Sequence, residues 1–465
     1  MRENLILLYI GDEIIMETLL WLRIIIISKL IFIIYYFNYK TTLFSLLTII
    51  SPLILRQSNN WNLIVLELLY YLILTLYFNF KNQKNTKITE MKEKQSAIFA
   101  KARQIHQNSL PDKLPEEDDI CMSAFYQPAE ELGGDYYNVF KIDHGPMDVF
   151  FNQYFIYMFD VSGHGIDSAM LGMFINNTIE DYFKLQHNKG EKVAPKDILQ
   201  YIEKQYQEEG YPDDYLICLF VGVLDLNNYE FNYSSLGFQF PFYKITKNGA
   251  LKELETGGLP ISASIETACL EFEETSISFQ KDEMIFFTTD GLVEQTISSG
   301  KYNHKLKEEL STINYFHPSA LVESIKNDFI NFHGTKYGDD DITYLAIGRL
   351  TGEKKEWLIE EREEANETQQ EITNYLKSVD TDTVAIRQIF QQLSDLIWKK
   401  AKKLEVKILI TKDYLMVSLS GVDTKFNWSQ LIDNNLAPAE LKNKDIELFR
   451  SHNHKHKVCL FKKLK

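Results

Sequence analysis

The sequence predicts an α+β protein: an apolar N-terminal segment, a helical linker, a layered strand-and-helix domain and a smaller α+β module. Three observations carry that prediction. Two mostly apolar stretches of twenty residues, Thr18–Phe37 and Trp61–Phe80, fall within the first eighty positions. From Ile88 to Ile105, seam positions then recur in steps of three and four. Beyond Ile120, short apolar runs are interleaved with helical stretches.

Each twenty-residue stretch matches the length a helix needs to cross the hydrocarbon of a bilayer. Thr41–Leu55 between them is short for a span and would be re-entrant or mismatched, so two or three spans are expected over 1–80. A buried soluble hairpin is the bland alternative. No small-residue cleavage site follows the first stretch, which favours an anchor over a removable leader. Arg23 and Lys29 can snorkel, and Glu67 within the second stretch would be functional. Lys81, Lys84 and Lys87 place the following chain in the cytoplasm. The expected location is the cytoplasmic (inner) membrane, multi-pass.

The linker, 81–110, carries its seam at Ile88, Met91, Gln95, Ile98, Ala102 and Ile105. One helix packed on its own domain would show such a stripe. So would a parallel two-stranded coil joining two anchors to two soluble domains, with Gln95 setting register. A homodimer is the functional expectation. Pro111 and Pro115 end the helix.

The 465 residues carry 49 basic and 65 acidic side chains, net −16. Residues 81–350 hold 24 basic and 42 acidic, net −18, so the acidity is confined to that region. Nucleic acid is therefore not expected as a partner. Four scattered cysteines, without a CxxC pair, exclude a disulfide framework and a zinc ribbon.

In the domain at 111–350, Tyr154–Phe159 and Met284–Phe287 read as buried strands, and Glu271–Phe279 alternates like a half-exposed one. Ser168–Phe183 and Lys196–Gln207 read as helices. Four acidic sites stand at the ends of strand-like runs, beside glycine or another acid: Asp135 in GGDYY, Asp160 in MFDVSGHG, Asp290 in TTDGLVE, and Asp339–Asp341 in YGDDDIT. Singly, each serves as a turn former. Together, converging carboxylates repel unless they are protonated or hold cations. With no paired His/Cys spacing, the donors are oxygens, which suits a magnesium or manganese site, most simply a binuclear one.

KARQIHQNSLPDKLP, FYQPAEELGGDYYNVF, FDVSGHGIDSAM, FFTTDGLVEQ and GDDDITYLAIG, in that order, resemble the SpoIIE-type branch of the PPM (protein phosphatase 2C-like) serine/threonine phosphatases over about residues 100–350. The resemblance implies a β-sandwich flanked by helices, with two divalent ions, manganese or magnesium, at one end. It implies that Asp160 bridges the ions, that the Val161 carbonyl helps hold one, and that Asp135 ligates from the preceding strand. Asp290 and Asp340 would hold the other ion, with Asp341 a competitor for the role of Asp340. Ser168–Phe183 and Lys196–Gln207 would be the family's switch helices. Two departures touch the substrate groove: SSLGFQFPF puts Phe238 where family members carry His, and LPISAS puts Ser262 where they carry Gly.

Two metals about 3.5–4 Å apart would activate a bridging water for in-line attack on phosphorus. There is no arginine between Arg103 and Arg349, so the metals would carry the phosphate's charge, helped by Lys141 or a backbone amide. His164 either protonates the leaving group or shapes the Gly163–Gly165 turn.

Residues 351–371 read as a charged linker, helical or solvated. In 372–465, Val384–Lys403 reads as a helix, Val406–Ile410 and Leu415–Leu419 as a hairpin around Lys412-Asp413, and Val458–Phe461 as a last strand. This order faintly resembles a GHKL ATPase layer, but Trp398 and Lys399 stand where its Asn belongs and SLSGVD lacks its acid. A degenerate interaction domain and a plain α+β partner-binding module are equal readings.

The expected function is a membrane-anchored, metal-dependent phosphoserine/phosphothreonine protein phosphatase, with Asp160 and Asp290 central to catalysis. The resemblance implies a STAS-type anti-anti-sigma substrate in a partner-switching pathway. A membrane-tethered pseudophosphatase scaffold is the alternative, disfavoured by the complete acid set. A two-metal nuclease is disfavoured by the charge.

Overall fold

The computed structural model describes residues 61–464 apart from 112, 118, 131, 144–151, 164, 187–191, 298–299, 335–337, 361–364, 380–387, 389, 392, 396–402, 423–445 and 451–456. The chain divides into two compact units, Met1–Gln95 and Ser96–Lys465. The expected spans Thr18–Phe37 and Thr41–Leu55 lie outside the described residues. The backbone of Trp61–Phe80 opens helix α1 (Trp61–Ser109), and most side chains of that stretch are likewise outside the described set. Among the described residues no helix is long and apolar enough to cross a membrane.

α1 ends two residues before Pro111, whose ring cannot continue a helix. Its seam faces solvent: Ile88, Met91, Ile98 and Ile105 are all exposed, Ile98 at 60% and Ile105 at 55%.

In the second unit, β1 (Ile120–Gln127), β2 (Tyr136–Lys141) and β3 (Gln153–Val161) precede helices α2 (Ile166–Gln186) and α3 (Pro195–Glu209). Strands β4 (Ile217–Asp225), β5 (Glu230–Leu236), β6 (Phe242–Thr246), β7 (Leu251–Leu254), β8 (Thr275–Ser278) and β9 (Glu283–Thr288) follow. The short helix α4 (Asp290–Val293) leads to a small ribbon, β10 (Thr296–Ile297) with β11 (Gly300–Lys301). Helices α5 (Tyr302–Ser311) and α6 (Pro318–His333) and strand β12 (Ile342–Arg349) complete the domain.

Two five-stranded antiparallel sheets result, ordered β1-β12-β9-β6-β7 and β2-β3-β4-β5-β8. Strand alternation decides which side chains meet between them. Met122, Ala124, Tyr137, Val139, Ile156, Met158, Phe220, Ile285, Phe287, Leu345 and Ile347 form the inner core. Residues of opposite parity, such as Phe155, Tyr157 and Phe159, pack outward against α2 and α3. On the other sheet, Met284, Phe286, Tyr344 and Ala346 pack against α5 and α6. The domain is therefore a β-sandwich with helices on both faces. Phe220 sits at its centre with Phe231, Tyr233, Phe242 and Phe287 around it, ring centres 4.8–6.3 Å away. Truncating such a residue costs about 3–5 kcal/mol.

The expected helices over Ser168–Phe183 and Lys196–Gln207 lie within α2 and α3. The expected strand Glu271–Phe279 shrinks to the edge strand β8, because only Thr275–Ser278 finds a partner, on β5.

The C-terminal module adds β13 (Glu353–Ile359), helix α7 (Ala365–Val379), β14 (Lys403–Ile410), β15 (Tyr414–Val422), β16 (Ile446–Arg450) and β17 (Lys457–Lys463). Its antiparallel sheet runs β13-β14-β15-β17-β16. The charged stretch after residue 351 thus begins as an edge strand rather than a linker, its pairing fixed by Trp357 opposite Val406. Most of the expected helix Val384–Lys403 lies outside the described residues, and Lys403 already belongs to β14. One sheet face, with Val406, Ile408, Val417 and Leu460, covers Ile372, Leu376, Phe390 and Leu393. The other presents Leu409, Tyr414, Met416 and Phe461 to Tyr315 and Phe316 of the sandwich domain.

Candidate metal centre

The acidic motifs converge because of strand parity. On β3 the inward positions are Tyr154, Ile156 and Met158, and the next in that series is Asp160. On β2 they are Tyr137 and Val139, and the preceding member is Asp135. Extending the same series gives Thr289 beyond β9, Thr343 on β12 and Tyr126 on β1. β2 and β3 are joined with Tyr136 opposite Phe159, and β12 and β9 with Tyr344 opposite Thr288, so these residues gather at one end of the sandwich.

Asp135 is fully buried, and its carboxylate accepts from the hydroxyls of Thr289 (2.8 Å) and Thr343 (2.5 Å). Asp341 is 3% exposed, and its carboxylate accepts from the amides of Ala129 (2.8 Å), Gly134 (2.6 Å) and Asp135 (3.4 Å). Asp340 is exposed, and its Oδ1 accepts from the Asp341 amide at 2.8 Å. Gln295 ties two motifs together: its Nε2 donates to the Gly291 carbonyl, and its Oε1 accepts from the Asp339 amide.

The glycines of these motifs are dictated by close approach. A Cβ on Gly133 would stand 2.3 Å from Asp341 Oδ2, one on Gly134 2.3 Å from the Val161 carbonyl oxygen, and one on Gly291 1.8 Å from the Asp341 carbonyl oxygen. Gly163 and Gly165 are needed for another reason. Their φ angles, 84° and 102°, lie in the left-handed region, with open space around them.

Burial first, then the neighbouring acids Asp160 and Asp341, push the Asp135 carboxyl well above the usual range. Burial and then Asp290, Asp340 and Asp341 do the same to Asp160, which also shares a hydrogen bond with Asp290. Asp290 is raised by burial, Asp340 and Glu294. The structure therefore brings Asp135, Asp160, Asp290, Asp340 and Asp341 into one electrostatic cluster, and the leading influences on its three raised acids include no basic side chain. A cation relieves such repulsion, and an all-oxygen donor set suits magnesium or manganese. Among the described residues no three His, Cys, Asp or Glu side chains close tightly enough to grip an ion. Asp135 and Asp341 direct oxygens onto hydroxyls and amides, and Asp160 and Asp290 onto each other.

Lys141 does not reach the cluster. It sits opposite Tyr154, at the far end of β2 from Asp135, about 20 Å along a strand. Arg349 is likewise remote, at the opposite end of β12, where it pairs with Asp119 (3.0 Å) and lies over the Tyr229 ring. His164 lies outside the described residues. Phe238 is buried edge-on against Phe242, and Ser262 is fully buried. Sequence reasoning missed Thr289, Thr343 and Gln295. The signal was parity: Thr289 and Thr343 continue the inward series of their strands.

Residues 152–350 match the family model described as stage II sporulation protein E (SpoIIE). This stretch, under half of the chain, is the part that is similar to the SpoIIE family. The sequence is 25% identical over 298 residues to protein IcfG of Synechocystis, covering 59% of this chain and 45% of that one. It is also 25% identical over 233 residues to the phosphoserine phosphatase RsbP of Bacillus subtilis, covering 49% and 51%. The chain thus spans about half the length of these curated relatives. Among solved structures, the SiaA-PP2C domain of Pseudomonas aeruginosa aligns with a TM-score of 0.45 at 16% identity, covering 55% of this chain and 97% of that one.

Proposed function

We propose that this chain is a metal-dependent phosphoserine/phosphothreonine protein phosphatase, anchored in the cytoplasmic membrane through residues 1–80 and working as a dimer. The observation that carries the reading is the carboxylate cluster of buried Asp135 and half-buried Asp160 and Asp290, whose leading influences are desolvation and other acids. In this reading Asp160 would serve both of two divalent ions, the Val161 carbonyl and Asp135 would help hold one, and Asp290 and Asp340 would hold the other. Asp341 holds the loop instead, since its oxygens already serve three amides. When bound, the two ions lower the pKa of a water between them and clamp the phosphoryl oxygens. Thr289 and Thr343 keep Asp135 turned inward, and Gln295 keeps the Asp290 and Asp339–Asp341 loops in register. Without a guanidinium at the site, substrate positioning falls to backbone amides and to surface contact with the phosphoprotein.

The exposed seam of α1 supports the dimer, because a row of apolar residues on a solvated helix favours pairing with a second copy. The substrate we propose is a phosphorylated STAS-type regulator, in line with the similarity to the phosphoserine phosphatase RsbP.

The test is manganese-dependent phosphate release from a phosphoserine protein by the detergent-solubilised full chain, with Asp160→Ala as control. No release at any manganese concentration, or equal release by the variant, would overturn the assignment. Sedimentation of the same samples tests the dimer.

A further inference from the structure

The end of α1 is fastened to the strand residues next to the carboxylates. His106 is 4% exposed. Its ring centre lies 5.7 Å from that of Tyr126 and 6.0 Å, edge-on, from that of Tyr136. The Tyr136 hydroxyl donates to the carbonyl of Ser109, the last residue of α1, satisfying one of the carbonyls that a helix end leaves open. Each tyrosine is one step from Asp135. Tyr136 follows it in the chain, and its ring stacks on Phe159, the neighbour of Asp160, at 5.2 Å. Tyr126 is the β1 partner of Thr343, whose hydroxyl holds the Asp135 carboxylate. The Tyr126 hydroxyl also lies close enough to Asp341 and Asp135 for both to push its pKa up, after burial itself.

We infer that His106 is a positioning residue: wedged between Tyr126 and Tyr136, it couples the end of helix α1 to the orientation of the Asp135 carboxylate and so to divalent-ion affinity. A shift of the helix end moves both tyrosines, and with them the chain neighbour of Asp135 and the strand partner of its threonine. Burial lowers the imidazole pKa, so the ring acts as a neutral aromatic spacer at neutral pH. Packed side chains transmit such shifts because dense interiors do not absorb them. The inference rests on reading Asp135 as a metal ligand.

The test uses the full chain, with Mn²⁺ binding followed by the electron paramagnetic resonance signal of free Mn²⁺, beside a manganese titration of phosphate release. His106→Ala should weaken binding and raise the half-saturating manganese concentration several-fold, while turnover at saturating manganese stays within about two-fold. His106→Phe, which keeps an aromatic wedge, should restore affinity. Tyr136→Phe, which removes only the bond to Ser109, should shift it in the same direction by a smaller factor. Unchanged Mn²⁺ affinity in both His106→Ala and Tyr136→Phe would overturn the inference, as would a loss of turnover with no change in affinity. If Mn²⁺ affinity shifts as stated but no phosphoprotein is hydrolysed, the inference stands and the phosphatase reading falls. A wild-type chain that binds no Mn²⁺ would sink both.

Discussion

The carboxylate of Asp341 accepts the backbone amide of Gly134 at 2.6 Å, joining two motifs 207 positions apart. This contact separates the roles of adjacent acids. Asp341 is the anchor of the Gly133–Asp135 loop, whereas Asp340 faces Asp160 and Asp290. Asp341→Asn should therefore lower thermal stability, because hydrogen bonds to a charged group contribute about 1.5–3 kcal/mol each. Asp340→Asn should leave the melting temperature nearly unchanged but weaken Mn²⁺ binding. Paired thermal melts and Mn²⁺ titrations check the split; equal melting losses in both variants would refute it.

Gly291→Ala tests the close approach directly. Its Cβ would meet the Asp341 carbonyl oxygen at 1.8 Å, and backbone cannot step aside as a flexible side chain does. Overpacking of this kind costs about 1–3 kcal/mol, and here the strain falls on the Asp290 and Asp341 loops together. The expected result is a folded protein with lower stability and weaker Mn²⁺ affinity. An alanine variant matching wild type in both would mean that the two loops tolerate separation.

The raised carboxyls at Asp135, Asp160 and Asp290 give the metal-free protein a definite pH response. A carboxyl whose folded pKa exceeds its unfolded value binds more protons in the folded state. Its contribution to stability is full below the unfolded value, about 4, and is lost as pH rises through the folded value. Metal-free melting temperature should thus fall from mildly acidic to neutral pH, and Mn²⁺ should reverse the fall. Asp160→Ala removes one repelling charge, so it should flatten the metal-free slope and match or exceed wild-type stability at pH 7. Calorimetry over a pH series decides; a steeper slope in the variant would contradict the electrostatic account.

The sequence made the centre legible where chemistry and backbone constraint coincide. Asp135 and Asp290 sit beside glycines and Asp160 three residues before one, and at Gly134 and Gly291 a side chain would collide with a carbonyl. That constraint leaves a pattern in the letters. Thr289 and Thr343 left a weaker one, because a threonine beside an acid is ordinary until strand parity turns it inward. Lys141 misled for a related reason: it is near Asp135 in sequence, but an extended strand carries it away. Glu353–Ile359 read as linker because an edge strand needs only a few apolar contacts, here Trp357 and Ile359, to be held in a sheet. Which of Asp339–Asp341 anchors a loop depended on amides two hundred positions away and was not in the local sequence.

The final prediction concerns Lys407 on β14, which binds the C-terminal module to the segment leaving α1. Its ammonium lies 2.7 Å from Glu116, 3.4 Å from Glu405 and 3.6 Å from Glu356, and it and Glu116 are nearly buried. Burial opposes its charge, but these acids outweigh burial and raise its pKa. Removing one partner of a buried pair costs about 3–5 kcal/mol because the other charge is left uncompensated. Lys407→Met should therefore destabilise the full chain strongly, with Glu116 and Glu405 left to repel. Adding Glu116→Gln should recover part of the loss, giving a non-additive double-mutant cycle. Chemical denaturation of the four proteins in the cycle measures the coupling. Strict additivity would mean that Glu116 and Lys407 are neighbours without a shared energetic role, and that other contacts, such as those of Tyr414 and Phe461 with Tyr315, hold the module.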